Sequence, residues 1–387
     1  MLFRVTCLLV GIGSGLAVTA AADPGVRKVK DVVIYQDDRF HSAFPSVVKR
    51  PDGELLVAFR RAPNRLLWGE DHNNHVDPNS YMVLVRSADG ENFTTEPELI
   101  HANNWGGSQD PCMLQLRDGT ILCFSYGWTF VRPDGIENLK PPVRNVGYGA
   151  IFNGGFYLRS DDGGENWQGP RRAPHIAPEL LRDPFGEPIT AYNRGAAVEG
   201  KDGRLFWVVA STDRISPHRT STHLMISEDK GVTWEYSTPV AEDEDVTFNE
   251  ASIYETPQGD LVAFLRTANF EDQACIARST DGGRSFEPWE GMGWQGHPLH
   301  ATRLPDDRVL LVYGYRHEPR GIRARVLNAE CTDFATAPEI VLRDDGTTSD
   351  LGYPWSVVLD EHRVLVTYYI NVDGGIPHIA GTILALD

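Results

Sequence analysis

The sequence predicts an all-β protein assembled from repeats, on three observations: a turn-forming octad recurs along the chain, six apolar hairpins accompany it, and helical periodicity is weak throughout. The octad has the form S-x-D-x-G-x-x-W. It occurs over Ser160–Trp167, with Asp162 and Gly164, and over Ser227–Trp234, with Asp229 and Gly231. A third copy spans Ser279–Phe286, with Asp281 and Gly283, and a shortened one spans Ser87–Phe93, with Asp89 and Gly90. An Asp that bonds its own backbone, followed by a Gly that tolerates positive φ, makes a tight turn, and the closing aromatic tucks beneath it.

The hairpins follow in order. Each is an apolar strand, a polar turn and a second apolar strand. Phe44 to Phe59 turns at Asp52-Gly53, Pro111 to Phe124 at Asp118-Gly119, and Gly195 to Val209 at Asp202-Gly203. Ala251 to Leu265 turns at Gln258-Gly259, Ala301 to Tyr313 at Asp306-Asp307, and Pro354 to Tyr368 at Asp360-Glu361. Asp-Gly between apolar runs is a strong hairpin signal. The second strands, such as Leu55 to Phe59 and Val309 to Tyr313, are apolar at nearly every position. A strand apolar on both faces is buried on both faces. Val29 to Tyr35 and His378 to Leu386 read as further strands, and Pro174 to Pro188 has room for one short helical turn.

Composition narrows the function. The formal charge of -18 argues against nucleic acid and anionic membranes as partners, since both need a basic face. A small anionic ligand needs only a local cluster of Arg. Residues 1–22 read as a secretory signal peptide: Arg4 is basic, Leu8 to Val18 is apolar, and Ala20-Ala21-Ala22 is a small-residue cleavage site. The expected mature chain, residues 23–387, is one domain, exported (secreted or periplasmic), free of the membrane and monomeric. No C-x-x-C pair occurs, so no metal site and no cofactor is expected. Cys112 and Cys123 lie nearly equidistant from the Asp118-Gly119 turn and are expected as near neighbours across one ladder, as buried thiols or as a disulfide.

The octads resemble the Asp-box of the sialidase superfamily, whose members are β-propellers. This resemblance implies a six-bladed β-propeller of four-stranded antiparallel blades. Six hairpins over the mature chain leave about 60 residues per blade. The strand Val29–Tyr35 then completes the last blade beside His378–Leu386, which removes the sheet edges.

In an antiparallel hairpin the start of the first strand and the end of the second share an edge, here one end of the central channel. His41 to Phe44, Gln109-Asp110, Tyr192 to Arg194, Asn249-Glu250, His297 to His300 and Tyr353 start hairpins there; Arg60, Tyr126, Arg266 and Arg316 end them. This set is polar and ionisable while the strands between are apolar, which places a site at the channel. The resemblance implies roles. Glu250 and Arg266 match a sialidase catalytic Glu and one Arg of a carboxylate-binding triad, and Tyr353 stands where sialidases carry a nucleophilic Tyr. Arg320 or Arg323 matches a second triad Arg. The first is missing: the Arg-Ile-Pro-like triplet is Ala43-Phe44-Pro45 here. Loss of one charge-assisted contact costs roughly 1.5–3 kcal/mol, so weak turnover of simple sialosides is expected. The acid/base Asp of the family falls in the loop Glu70–Ser80, where His75 or Asp77 stands. Arg194, Asp110 and His300 are expected to line the substrate site.

The implied activity is that of an exo-sialidase-type glycoside hydrolase acting on an acidic sugar of a glycan or glycoconjugate. Tyr suits the nucleophile's task because a carboxylate would be repelled by the substrate's own. Two other functions fit the same scaffold: a hydrolase or lyase on a uronic or other acidic glycan working through His75, and a non-catalytic carbohydrate-binding propeller.

Overall fold

Each turn does close a hairpin, and two more strands extend each hairpin into a four-stranded antiparallel sheet. The computed structural model describes residues 25–387; the expected signal peptide, residues 1–22, lies outside them. The first blade is β2 (Phe40–Lys49), β3 (Leu55–Pro63), β4 (Tyr81–Ser87) and β5 (Glu98–Ala102). The second is β6 (Cys112–Gln115), β7 (Ile121–Phe130), β8 (Ala150–Ser160) and β9 (Gln168–Arg171). The third is β10 (Val198–Glu199), β11 (Leu205–Arg214), β12 (Arg219–Ser227) and β13 (Glu235–Ala241). The fourth is β14 (Phe248–Glu255), β15 (Leu261–Thr267), β16 (Gln273–Ser279) and β17 (Glu290–Gln295). The fifth is β18 (Leu299–Arg303), β19 (Val309–Tyr315), β20 (Gly321–Leu327) and β21 (Glu339–Arg343).

The sixth blade joins the two ends of the chain. Its strands are β22 (Gly352–Asp360), β23 (Arg363–Ile370), β24 (His378–Leu386) and β1 (Val26–Tyr35). Val26 pairs with Leu386 and Val33 with Ala380, so the ring is clasped by backbone hydrogen bonds between its first and last strands. The fold is a six-bladed β-propeller.

Neighbouring blades share their cores, which is why the second strand of each hairpin is apolar on both faces. Leu310 and Val312 of β19 pack with Val364 and Val366 of β23. On the opposite face of β19, Leu311 and Tyr313 pack with Val262 and Phe264 of β15. The octads cap the third strand of the first four blades. In the Ser227 copy the hydroxyl donates to Asp229 Oδ1 at 2.9 Å and accepts from Gly231 N at 2.8 Å, while Asp229 Oδ1 accepts from Thr233 N at 2.8 Å. The same set of bonds recurs at Ser87, Ser160 and Ser279. These turns lie on the outer half of each blade.

One expectation is corrected. The stretch Pro174 to Pro188 forms no helical turn. Pro174, Pro178, Pro184 and Pro188 lack the N–H that a helix needs. Short 3₁₀ turns occur instead at Arg65–Trp68 and Pro133–Asn138. Cys112 and Cys123 are buried free thiols, the first of the two states expected of them, on adjacent rungs of one ladder. Cys112 stands opposite Phe124, and Cys123 opposite Met113, so the register is one residue off and the thiols face different cores.

Candidate functional site

Three β-bulges shape the channel end. Between β2 and β3, Phe44 and Pro45 oppose one residue; between β14 and β15, Asn249 and Glu250 do; between β22 and β23, Tyr353 and Pro354 do. A bulge re-aims a side chain that the pleat would otherwise direct between the blades. Phe44 (φ 59°) and Tyr353 (φ 49°) adopt the left-handed conformation that non-glycine residues avoid. Their rings meet edge-to-face with centroids 4.8 Å apart.

Tyr353 Oη donates to Glu250 Oε1 at 2.7 Å. Arg266 Nη1 donates to Glu250 Oε2 at 2.5 Å and to Tyr353 Oη at 2.9 Å. Two more guanidinium groups flank the phenol ring, Arg194 at 5.0 Å and Arg316 at 5.5 Å from its centroid. Burial foremost, with the Glu250 charge adding, pushes the Tyr353 hydroxyl above its ordinary range, so the phenol is neutral. Burial also pushes Glu250 up, but the Arg266 charge and the bonds from Tyr353 and Arg266 outweigh it and hold the carboxylate below its usual value. The resting pair is therefore a neutral phenol hydrogen-bonded to a carboxylate, an arrangement in which the phenol proton can pass to the carboxylate.

A second cluster lies across the Phe44 ring, which His75 meets edge-to-face at 5.3 Å. His75 Nε2 is 2.6 Å from Asp350 Oδ1, which also accepts from Tyr369 Oη at 2.7 Å. His41 Nε2 lies 3.2 Å from Asp350 Oδ2. Arg60 Nη1 sits 3.4 Å from His41 Nδ1, so Nδ1 accepts and Nε2 donates to Asp350. Burial pushes Asp350 up, but its bonds from His41 and His75 hold it well below the usual carboxylate range. His75 is the exposed member, with 43% of its side chain accessible against 2% for His41.

The remaining sequence candidates divide. Arg194 and Asp110 are buried beside Tyr353, with Arg194 Nε 3.7 Å from Asp110 Oδ2. Burial pushes Asp110 up to about 7, against the opposing charge of Arg194. Asp77 does not stand free: Arg65 donates to both its oxygens, at 2.7 and 2.8 Å, and Asn79 N adds a third bond at 2.7 Å. It anchors the loop that carries His75. Arg320 pairs with Glu318, and Arg323 bonds the carbonyls of Pro319 and Arg343. Both belong to the third strand of their blade or its lead-in, and these bonds go to that blade's own backbone and carboxylates. Arg316, just past the end of β19, is the Arg of the fifth blade that flanks Tyr353. His300 stacks on Trp355 at 4.4 Å and accepts from Ser356 N at 3.2 Å; burial lowers it to about 3, so it is neutral and supports the wall. Arg316 occupies the hairpin position of Arg266 and Arg60, a register signal within the sequence. Asp350 sits in the loop before β22 and carries no such signal.

Comparison with known proteins places these features in a family. The family described as "BNR repeat-like domain" matches residues 107–366. None of the curated proteins compared by sequence matches the chain. A crystal structure of a protein of unknown function from Dyadobacter fermentans DSM 18053 is 67% identical, with 94% of this chain and 100% of that one covered and a TM-score of 0.93. The Hadza microbial sialidase Hz136 is similar at 17% identity and a TM-score of 0.62, over 89% of this chain and 65% of that one. Trypanosoma rangeli sialidase in complex with the inhibitor DANA is similar at 14% identity and a TM-score of 0.60, over 93% of this chain and 60% of that one.

Proposed function

The chain belongs to the BNR repeat-like domain family, and from that footing we infer that it is an exported sialidase-like glycoside hydrolase acting on an acidic sugar. One observation carries this reading: Tyr353 Oη bonded at 2.7 Å to the ionised Glu250, with Arg266 donating to both.

The chemistry follows from that geometry. The substrate's carboxylate lies against Arg266, Arg316 and Arg194, where guanidinium groups offer paired N–H donors. Arg194, from the third blade, supplies a cation that Ala43 cannot. As Tyr353 Oη attacks the anomeric carbon, its proton passes to Glu250 and the glycosidic C–O bond breaks. The departing oxygen takes a proton from His75, which Asp350 holds in place; Asp77 is committed to Arg65. Water then displaces the tyrosyl oxygen, giving a proton to His75, and Glu250 returns a proton to Tyr353. Two displacements at one carbon retain configuration.

Sugar release from a panel of acidic glycans, including a fluorogenic sialoside and uronides, tests the reading. Wild-type protein is expected to release a reducing sugar from at least one member, and Glu250→Gln to release it at least a hundredfold more slowly. Binding without release across the panel would instead favour a carbohydrate-binding propeller.

A further inference from the structure

The clamp described above leaves one cationic group unused. Beside Glu250 and Arg194 lies a cavity of about 110 Å³, walled by Trp128, Arg144, Tyr192 and Asn193. Liquid water takes up about 30 Å³ per molecule, so the space holds a few waters or one compact substituent. Arg144 is half-buried there, its guanidinium 6.0 Å from the Trp128 ring centroid, and it makes no ion pair or side-chain hydrogen bond among the described residues. Glu179, which feels its charge, spends its oxygens on the N–H groups of Leu181 and Thr212.

The other polar atoms of the wall include two pure donors and the Tyr192 hydroxyl, which is also unpartnered and can donate. Trp128 Nε1 is buried and has no hydrogen-bond partner, and Arg194 Nε has none either, its ion-pair partner Asp110 Oδ2 standing 3.7 Å away. Both nitrogens can only donate. Two acceptors oppose them. Asn193 Oδ1 is also unpartnered, and Glu250 is already engaged by Tyr353 and Arg266. A wall with two unpartnered buried donors and a guanidinium that forms no ion pair is costly unless an acceptor-rich group fills it.

We propose that this cavity is a subsite for a second anionic substituent, a sulfate ester or a carboxylate, carried by the same acidic sugar that Glu250 and Tyr353 engage. The proposal rests on the reading of that pair as the sugar site. It makes the substrate a doubly acidic sugar unit, with one anion on the Arg266 and Arg316 side of Tyr353 and the other on Arg144.

The test measures binding in the Tyr353→Phe background, so that turnover does not interfere. The probes are the methyl glycosides of glucuronic acid and of a sialic acid, unsubstituted and as their mono-O-sulfates, mono-O-malonates and mono-O-acetates. A charge-assisted contact should tighten at least one anionic derivative about tenfold or more over its acetate, and adding Arg144→Gln should abolish that ratio. Sulfate alone or malonate alone showing the gain identifies the substituent. Acetates binding as tightly as the anionic derivatives, a ratio that survives Arg144→Gln, or no binding of any probe would each overturn the subsite. A flat ratio accompanied by turnover of the parent glycosides in wild-type protein leaves the glycosidase reading standing. An intact ratio without turnover of any glycan sinks the glycosidase reading and keeps the subsite.

Discussion

Replacing Tyr353 by Phe removes one oxygen from the centre of the channel. That oxygen donates to Glu250 at 2.7 Å and accepts from Arg266 at 2.9 Å. The ring keeps its packing on Phe44 and Tyr369, whose centroids lie 4.8 and 6.0 Å away. The Arg266–Glu250 ion pair at 2.5 Å also survives, so neither charge is left without a partner. Two bonds to charged groups are lost and no buried charge is orphaned, so the net cost in stability should be about 1–3 kcal/mol, a fall of a few degrees in Tm. Turnover should fall far more. Without the phenol oxygen no glycosyl–enzyme bond can form, and a loss of about 10³-fold or greater corresponds to at least ~4 kcal/mol of transition-state stabilisation. The assay is kcat on whichever acidic glycoside the wild-type protein cleaves, alongside thermal unfolding of both proteins. Near-full turnover in a folded Tyr353→Phe variant would refute the nucleophile assignment. If His75→Gln then abolished activity, the hydrolase or lyase working through His75 would take its place.

Asp350→Asn takes the charged acceptor from His75 and His41. We expect kcat to fall about 10–100-fold with a smaller change in KM and a folded protein, and an unchanged kcat would dismiss Asp350 as a positioning residue. Asp110 supplies a pH signature. Its carboxyl is pushed up to about 7 from 3.8, so its contribution to stability is complete below pH ~4 and is lost as pH rises through ~7. The wild-type protein should therefore lose about 2–4 kcal/mol relative to Asp110→Asn between those limits, read from denaturant titrations, and parallel profiles would contradict the assignment. Gly231 (φ +80°) sits in an Asp-box turn where an added Cβ would lie 2.5 Å from Leu122 Cδ1, whereas Gly53 (φ +94°) has open space around it. Gly231→Ala should cost more than Gly53→Ala, about 2–4 against ~1–2 kcal/mol, and equal losses would show that the turn yields to Leu122.

The sequence carried the repeat, the blade count and the ring closure. Each is a local signal written several times: an Asp-Gly turn, an octad, and a strand apolar on both faces because a blade lies on either side of it. It also placed Glu250, Arg266 and Tyr353 at one end of the channel, because hairpin geometry puts the start of one strand and the end of the next at the same edge. Which further groups reach that volume depends on how the blades pack around the ring. Arg320 and Arg323 are near in sequence but sit on the third strand of their blade or its lead-in, so the guanidinium that the fifth blade sets beside Tyr353 is that of Arg316. Asp77 and His75 are two residues apart, yet Arg65 ties one down while Asp350, from the opposite end of the chain, holds the other. Arg194, placed at the channel by its position at a hairpin start, approaches Tyr353 from the third blade, and only the packing of the blades sets its guanidinium against the phenol ring. Ring closure brings together side chains hundreds of residues apart, and long-range electrostatic partners are set by where the blades meet, which short-range pattern does not encode.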